Sequence, residues 1–151
     1  MKIDWKEMEK GCRELYKKLP KNKYDGIICI ATGGLLPGKI LSELMDLPLG
    51  IVSSKRYGKK REKIENWRVN TNIQWNEKAR FENILLVDDI IDEGRTIQKV
   101  IQNFGNFTAF KVIDIAVLFN KISKNKIDLG NHKIYKWKDC DKWITFPWEV
   151  K

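Results

Sequence analysis

A chain of 151 residues, 42% hydrophobic and 11% aromatic, holds one domain with a proper core and leaves no room for a second. Twenty-nine Lys and Arg against twenty Asp and Glu give a net charge of +9, which favours anionic partners, although the scattered lysines read as solvated surface. Three dispersed cysteines (Cys12, Cys29, Cys140) and a single histidine (His132) exclude a disulfide framework, a zinc knuckle and a His-based triad, and acid–base work falls to carboxylates or lysines. No apolar run reaches membrane-spanning length and the start Met1-Lys2-Ile3-Asp4-Trp5 lacks a signal core, so a cytoplasmic, non-membrane protein is expected.

Asp4 and Glu7 have capping-box spacing, and Trp5, Met8, Cys12, Leu15, Tyr16 and Leu19 recur at helical intervals until Pro20. That predicts an amphipathic opening helix whose aromatics are core. Gly26 to Ala31 reads as a buried strand running into Thr32-Gly33-Gly34-Leu35-Leu36-Pro37-Gly38-Lys39 and a second helix. The paired glycines serve either a close backbone approach to an anion or simply a tight turn.

A short strand, Leu49 to Ser53, precedes the polar run Lys55 to Lys63, and Val69, Thr71, Ile73 and Trp75 then alternate as a half-exposed strand. A basic loop of about residues 55–66 is therefore carried between two strands. It is either a flap over a polyphosphate or a solvated charge run.

The densest stretch is Ile84-Leu85-Leu86-Val87-Asp88-Asp89-Ile90-Ile91-Asp92-Glu93-Gly94-Arg95-Thr96. A buried strand ends in acids, and a turn opens a helix on Ile97, Val100, Ile101 and Phe104 with a stop expected at Gly105. Free N–H groups at such a helix start suit a phosphate monoester, and the acids suit sugar hydroxyls. Lys111 to Phe119 is a further apolar strand, Ile134 to Trp137 a short one, and the chain closes on Trp143-Ile144-Thr145-Phe146-Pro147-Trp148-Glu149. Strands alternating with helices specify an α/β domain with a mostly parallel twisted sheet, whose ligands bind at the carboxyl ends of strands.

Two chemistries fit a Gly-rich loop plus a strand-ending acid pair. Gly33 and Gly38-Lys39 have P-loop spacing, but Ile40 stands where Mg²⁺ needs Ser or Thr, and Pro37 removes a needed N–H. The run Ile84 to Thr96 instead resembles the signature of type I phosphoribosyltransferases. The segments Leu118-Phe119-Asn120-Lys121 and Trp143 to Glu149 resemble the base-binding parts of the small xanthine/guanine/hypoxanthine members.

The resemblance implies that fold, with a small C-terminal hood segment at about 134–151, and transfer of a phosphoribosyl group from phosphoribosyl pyrophosphate (PRPP) to a 6-oxopurine. It implies Asp88 and Asp89 on the ribose hydroxyls, with Mg²⁺ as cofactor near Asp89. The turn Glu93, Gly94, Arg95 and Thr96 would hold the 5-phosphate, and Asp92 would be general base at N7. Thr32, Gly33 and Gly34 would form the pyrophosphate loop, and Arg56, Tyr57 and Arg61 would belong to a flexible loop. Lys121, Trp143 and the backbone near Ile144 would bind the base. A homodimer or tetramer is implied, and no nucleic-acid partner.

Glu93 departs from the pattern by putting a carboxylate where a Thr hydroxyl is usual, with Arg95 beside it to compensate, and Thr32 stands where relatives often carry a cation. These departures and the +9 charge keep open a non-catalytic regulator that senses PRPP or binds RNA or DNA, and a hydrolase or transferase acting on a non-purine base is a third reading.

Overall fold

The computed structural model describes residues 1–56, 67–76, 80–107, 110–124 and 127–150, without the side chains of 55–56, 67–72 and 106–107. The expected Tyr57 and Arg61 of the basic loop lie outside the described residues, as does the Arg56 side chain. Helix α1 (Trp5–Lys18) starts where the sequence puts it, because the Asp4 side chain accepts the Glu7 N–H at 2.7 Å. Met8, Gly11, Cys12 and Leu15 form its buried face. At Gly11 an added Cβ would lie 2.5 Å from the Trp137 ring, so the helix approaches the sheet as closely as it does only with glycine there.

Strands β1 (Gly26–Ala31), β2 (Leu49–Arg56), β3 (Trp67–Trp75), β4 (Asn83–Ile91), β5 (Val112–Asn120) and β6 (Ile134–Asp139) form one sheet in the order β3-β2-β1-β4-β5-β6. Every neighbouring pair is parallel except β2 with β3. Helices α2 (Leu35–Met45) and α3 (Arg95–Phe107) complete the fold. Both sheet faces are covered, and side-chain alternation sorts the core accordingly. Ile28, Ile30, Leu86, Ile115 and Val117 pack toward Ile97, Val100 and Phe104 of α3, while Ile27, Leu85, Val87 and Ala116 pack with Leu15 of α1 and Leu41 of α2.

Three boundaries differ from the sequence expectation. Strand β2 continues past Ser53 to Arg56, because antiparallel pairing with β3 carries it on to Arg56 opposite Trp67. Helix α3 runs through Gly105 to Phe107. A helical glycine costs only about 1 kcal/mol, and the buried Phe104 secures that turn on the sheet. Strand β4 extends to Ile91, so the acid pair lies within the strand's last pleats and pairs with β5, Asp88 opposite Val117. Burial pushes the Cys12 and Cys29 thiols up to about 12 and about 11, away from the reactive thiolate form.

At the end of the sheet where β5 begins, the buried Asp114 carboxylate accepts from Lys23 Nζ and from the Tyr24 hydroxyl, both at 2.6 Å. Burial alone would raise its pKa, but these two donors outweigh burial and hold it below the usual value. The stabilisation is therefore present above the carboxylate's unfolded pKa and is lost as pH falls through the lower folded value. Asp114→Asn is expected to cost about 2–4 kcal/mol at pH 7 and less at pH 3, as read by urea denaturation at the two pH values.

Candidate active site

Parallel order brings the carboxyl ends of β1, β4 and β5 side by side, and with them the loops at 32–34, 92–94 and 121–124. The loop after β1 follows a cis Ala31–Thr32 peptide bond and lies directly against the end of β4. A Cβ on Gly33 would fall 2.4 Å from Asp89 Oδ2, and one on Gly34 would fall 2.4 Å from the Val87 carbonyl. Both glycines are therefore required by close approach, and the tight-turn and ligand-approach readings of this loop converge on one geometry.

A cleft of about 330 Å³ is lined by residues 88–97. At its floor Asp88 is buried, and its Oδ1 accepts the Asp89 N–H at 2.9 Å. Burial first, and then the neighbouring Asp89 charge, raise the Asp88 pKa well above the ordinary value. Burial also pushes Asp89 up to about 6, with the Glu149 carboxylate of the C-terminal segment adding to it. Two acids this close in a covered site titrate as a pair, above the ordinary carboxylate range.

Gly94 at φ +91° makes the turn between strand and helix, and the Gln98 N–H to Gly94 carbonyl bond at 2.9 Å opens α3. Across that turn Arg95 Nε donates to Glu93 Oε2 at 2.5 Å, so the carboxylate that stands in place of the usual hydroxyl carries its own counter-ion. Thr96 is the second residue of α3.

Lys121 follows β5 and is buried, its N–H donating to the Ile91 carbonyl at 2.9 Å. Its ammonium lies 3.2 Å from Asp92 Oδ1, an atom covered from solvent although the Asp92 side chain as a whole is half exposed. The same ammonium lies 5.2 Å from the ring centroid of Trp143, a residue 72% exposed. Ile144, next in the chain, is buried. Lys121 thus joins the acid turn to the C-terminal segment.

Sequence reasoning missed the groups that hold this arrangement. Asp141 Oδ1 accepts from the Ile122 and Ser123 N–H groups at 2.9 and 2.7 Å and anchors the turn after Lys121. No periodicity marks such an Asp among a run of polar residues. Of the expected hood, Ile134–Asp139 is a strand of the main sheet parallel to β5, and residues 140–150 are the part that leaves it. Among the described residues no helix is long and apolar enough to cross a membrane.

A mostly parallel sheet, an acid-ended strand that turns on a glycine into a helix, and a cation–aromatic pair at the same sheet end match the phosphoribosyltransferase pattern that the sequence resembles. The phosphoribosyl transferase domain model matches residues 3–151, and the chain belongs to that family. It is 26% identical over 98% of its length to the xanthine-guanine phosphoribosyltransferase of Idiomarina loihiensis, covering 86% of that protein, and 28% identical over 99% to that of Desulfotalea psychrophila, also covering 86%. Among solved structures it is similar to a purine phosphoribosyltransferase from Pyrococcus horikoshii, with TM-score 0.75, 28% identity and coverage of 100% of this chain and 95% of that one. It is likewise similar to the xanthine-guanine-hypoxanthine phosphoribosyltransferase of Helicobacter pylori, with TM-score 0.78, 25% identity and coverage of 99% and 93%. The fold is that of the type I members.

Because the folded chain holds protons on Asp88 and Asp89 more tightly than the unfolded chain does, their contribution to stability falls as pH rises above the ordinary 3.8, through about 6 for Asp89 and on through the raised value of Asp88. In the absence of divalent cations, Asp88→Asn is expected to melt a few degrees above the parent at pH 8, with the difference shrinking at pH 4. Thermal denaturation at both pH values reads the effect.

Proposed function

We propose that the chain transfers the phosphoribosyl group of PRPP to a 6-oxopurine (xanthine, guanine or hypoxanthine), forming the nucleoside 5′-monophosphate and pyrophosphate. The observation that carries this reading is the contact chain Asp92–Lys121–Trp143, with Lys121 Nζ 3.2 Å from a carboxylate oxygen and 5.2 Å from an indole centroid. A 6-oxopurine presents O6 and N7 on one edge. A cation beside a carboxylate meets that edge when the base carries its proton at N7, and the indole offers a flat face to the ring. A 6-amino group would instead turn a donor toward the ammonium.

The remaining residues take their roles from this placement. Asp88 and Asp89 accept the ribose 2′ and 3′ hydroxyls, and the backbone N–H groups from Glu93 to Thr96, with the Thr96 hydroxyl, hold the 5-phosphate. Thr32, Gly33 and Gly34 approach the pyrophosphate through their backbone. The basic run that begins at Arg56, the last residue of β2, would supply cations to the pyrophosphate. In the reaction the bond from sugar C1 to the pyrophosphate oxygen breaks with its electron pair going to pyrophosphate, and a purine nitrogen supplies the pair for the new bond to C1. The purine proton passes to Asp92, and that carboxylate also favours the positive sugar in between.

The residues fit a hard divalent cation held jointly with substrate. Asp88 and Asp89 offer carboxylate oxygens, a donor set that suits Mg²⁺, which takes one or two carboxylates and completes its shell with water and phosphate oxygens. When bound it supplies charge neutralisation for the departing pyrophosphate.

Steady-state assays with PRPP, Mg²⁺ and each 6-oxopurine are expected to yield the matching monophosphate, and Asp92→Asn to lower kcat by about 100-fold. Absence of product with all three bases would sink the reading. Since Glu93 sets a negative charge beside a dianion, Glu93→Thr is expected to lower KM for PRPP several-fold with little change in KM for the base. Arg95→Ala, which leaves Glu93 without its counter-ion, is expected to raise KM for PRPP about tenfold.

A further inference from the structure

The base side of the cleft rests on residues 140–150, whose regular pairing is confined to the bridge at Thr145. An irregular segment reads a ligand edge well only if its backbone is fixed beforehand, since ordering it on binding costs affinity. The first three residues of the chain supply that fixation. Lys2 and Thr145 form a parallel bridge, in which the Ile3 N–H donates to the Thr145 carbonyl at 3.2 Å and the Thr145 N–H donates to the Met1 carbonyl at 2.8 Å. The Met1 nitrogen donates to the Trp143 carbonyl as well. Ile3 is 1% exposed and lies in one apolar cluster with Ile144, Phe146 and Trp137. Immediately after it, Asp4 caps α1, and Met8 and Cys12 of that helix enter the same cluster. The bridging segment is thus tied to a helix seated on the sheet.

We infer that residues 1–3, and the Ile3 N–H above all, are a positioning element that sets affinity for the purine by holding the backbone of Trp143–Thr145. The inference rests on the purine-transfer reading above. Its geometry follows from strand alternation. Successive residues of an extended chain turn their N–H and C=O groups to opposite sides. With the Trp143 carbonyl and both Thr145 groups bonded to the N-terminal segment, the Ile144 N–H and C=O point away from it and are left for the base edge. The ribose and phosphate groups hang on β4 and α3, whereas residues 1–3 pair with the base side. Loss of the bridge therefore affects one substrate and spares the other.

Ile3→Pro removes the N–H and keeps an apolar ring next to the helix cap. It is expected to raise KM for the purine about tenfold, the usual consequence of losing a buried hydrogen bond, while KM for PRPP and kcat stay within about twofold. Ile3→Val, which keeps N–H and most of the apolar volume, should bring the purine KM back near the parent value. Should the proline variant not fold, as judged by circular dichroism, Ile3→Ala removes the buried anchor and serves the same test. An unchanged purine KM, or an equal rise in both KM values, overturns the inference. If the parent turns over none of the three bases, the functional reading has failed on its own, and amide hydrogen exchange over 143–146 still decides the positioning claim. Faster exchange there in Ile3→Pro supports it, and unchanged exchange contradicts it.

Discussion

Two adjacent carboxylates buried at the end of a central parallel strand are the constraint on which the rest of the molecule depends. Burial makes charge on Asp88 and Asp89 unfavourable, and their proximity makes a second charge more unfavourable still. A fold optimised for stability alone would place apolar residues at these two positions, as it does at Leu85, Leu86 and Val87 just before them. Retaining the acids requires a neighbour small enough to admit them, and Gly33 fills that condition because any side chain there would overlap the Asp89 carboxylate. The loop after β1 and the end of β4 are thereby one structure. The free chain holds strain of an electrostatic kind, which the sugar hydroxyls and cation of the proposed function would relieve.

The opposite wall is built on a different principle. It is assembled from parts distant in sequence, each irregular, and each held by hydrogen bonds to main chain. Lys121 is fixed through its N–H to Ile91, the turn after it through Asp141, and the Trp143–Thr145 segment through residues 1–3. The aromatic cluster of Phe119, Trp137, Phe146 and Trp148 backs this wall, with Phe146 and Trp148 stacked at 4.7 Å. Glu149 links the two walls, since its side chain accepts the Phe146 N–H at 3.1 Å and its charge contributes to the raised pKa of Asp89.

What the sequence made legible follows from what is local. The strand, acids, turn and helix of residues 84–96 are contiguous, and their order alone dictates a phosphate-sized turn at a strand end. The Asp4 cap and the pairing of Glu93 with Arg95 are likewise between near neighbours in the chain, and both are readable from spacing. Lys121 and Trp143 were legible only through resemblance, because a lysine and a tryptophan carry no pattern until the fold brings them within 5.2 Å. The bridge from Lys2 to Thr145 was not legible at all, since pairing over so few residues leaves no alternation of apolar and polar positions. Helix α3 outran the glycine expected to stop it because tertiary packing of Phe104 outweighs a local propensity.

The proposed function puts ribose 5-phosphate on β4 and the start of α3 and the base on Lys121 and Trp143, in one cleft. A crystal structure of the chain with a 6-oxopurine nucleoside 5′-monophosphate tests this without intermediate steps. The phosphate is expected on the backbone N–H groups of 93–96, the ribose hydroxyls on Asp88 and Asp89, the base against the Trp143 ring and its O6 on Lys121 Nζ. A phosphate bound away from that turn, or a base out of reach of both Lys121 and Trp143, would contradict it.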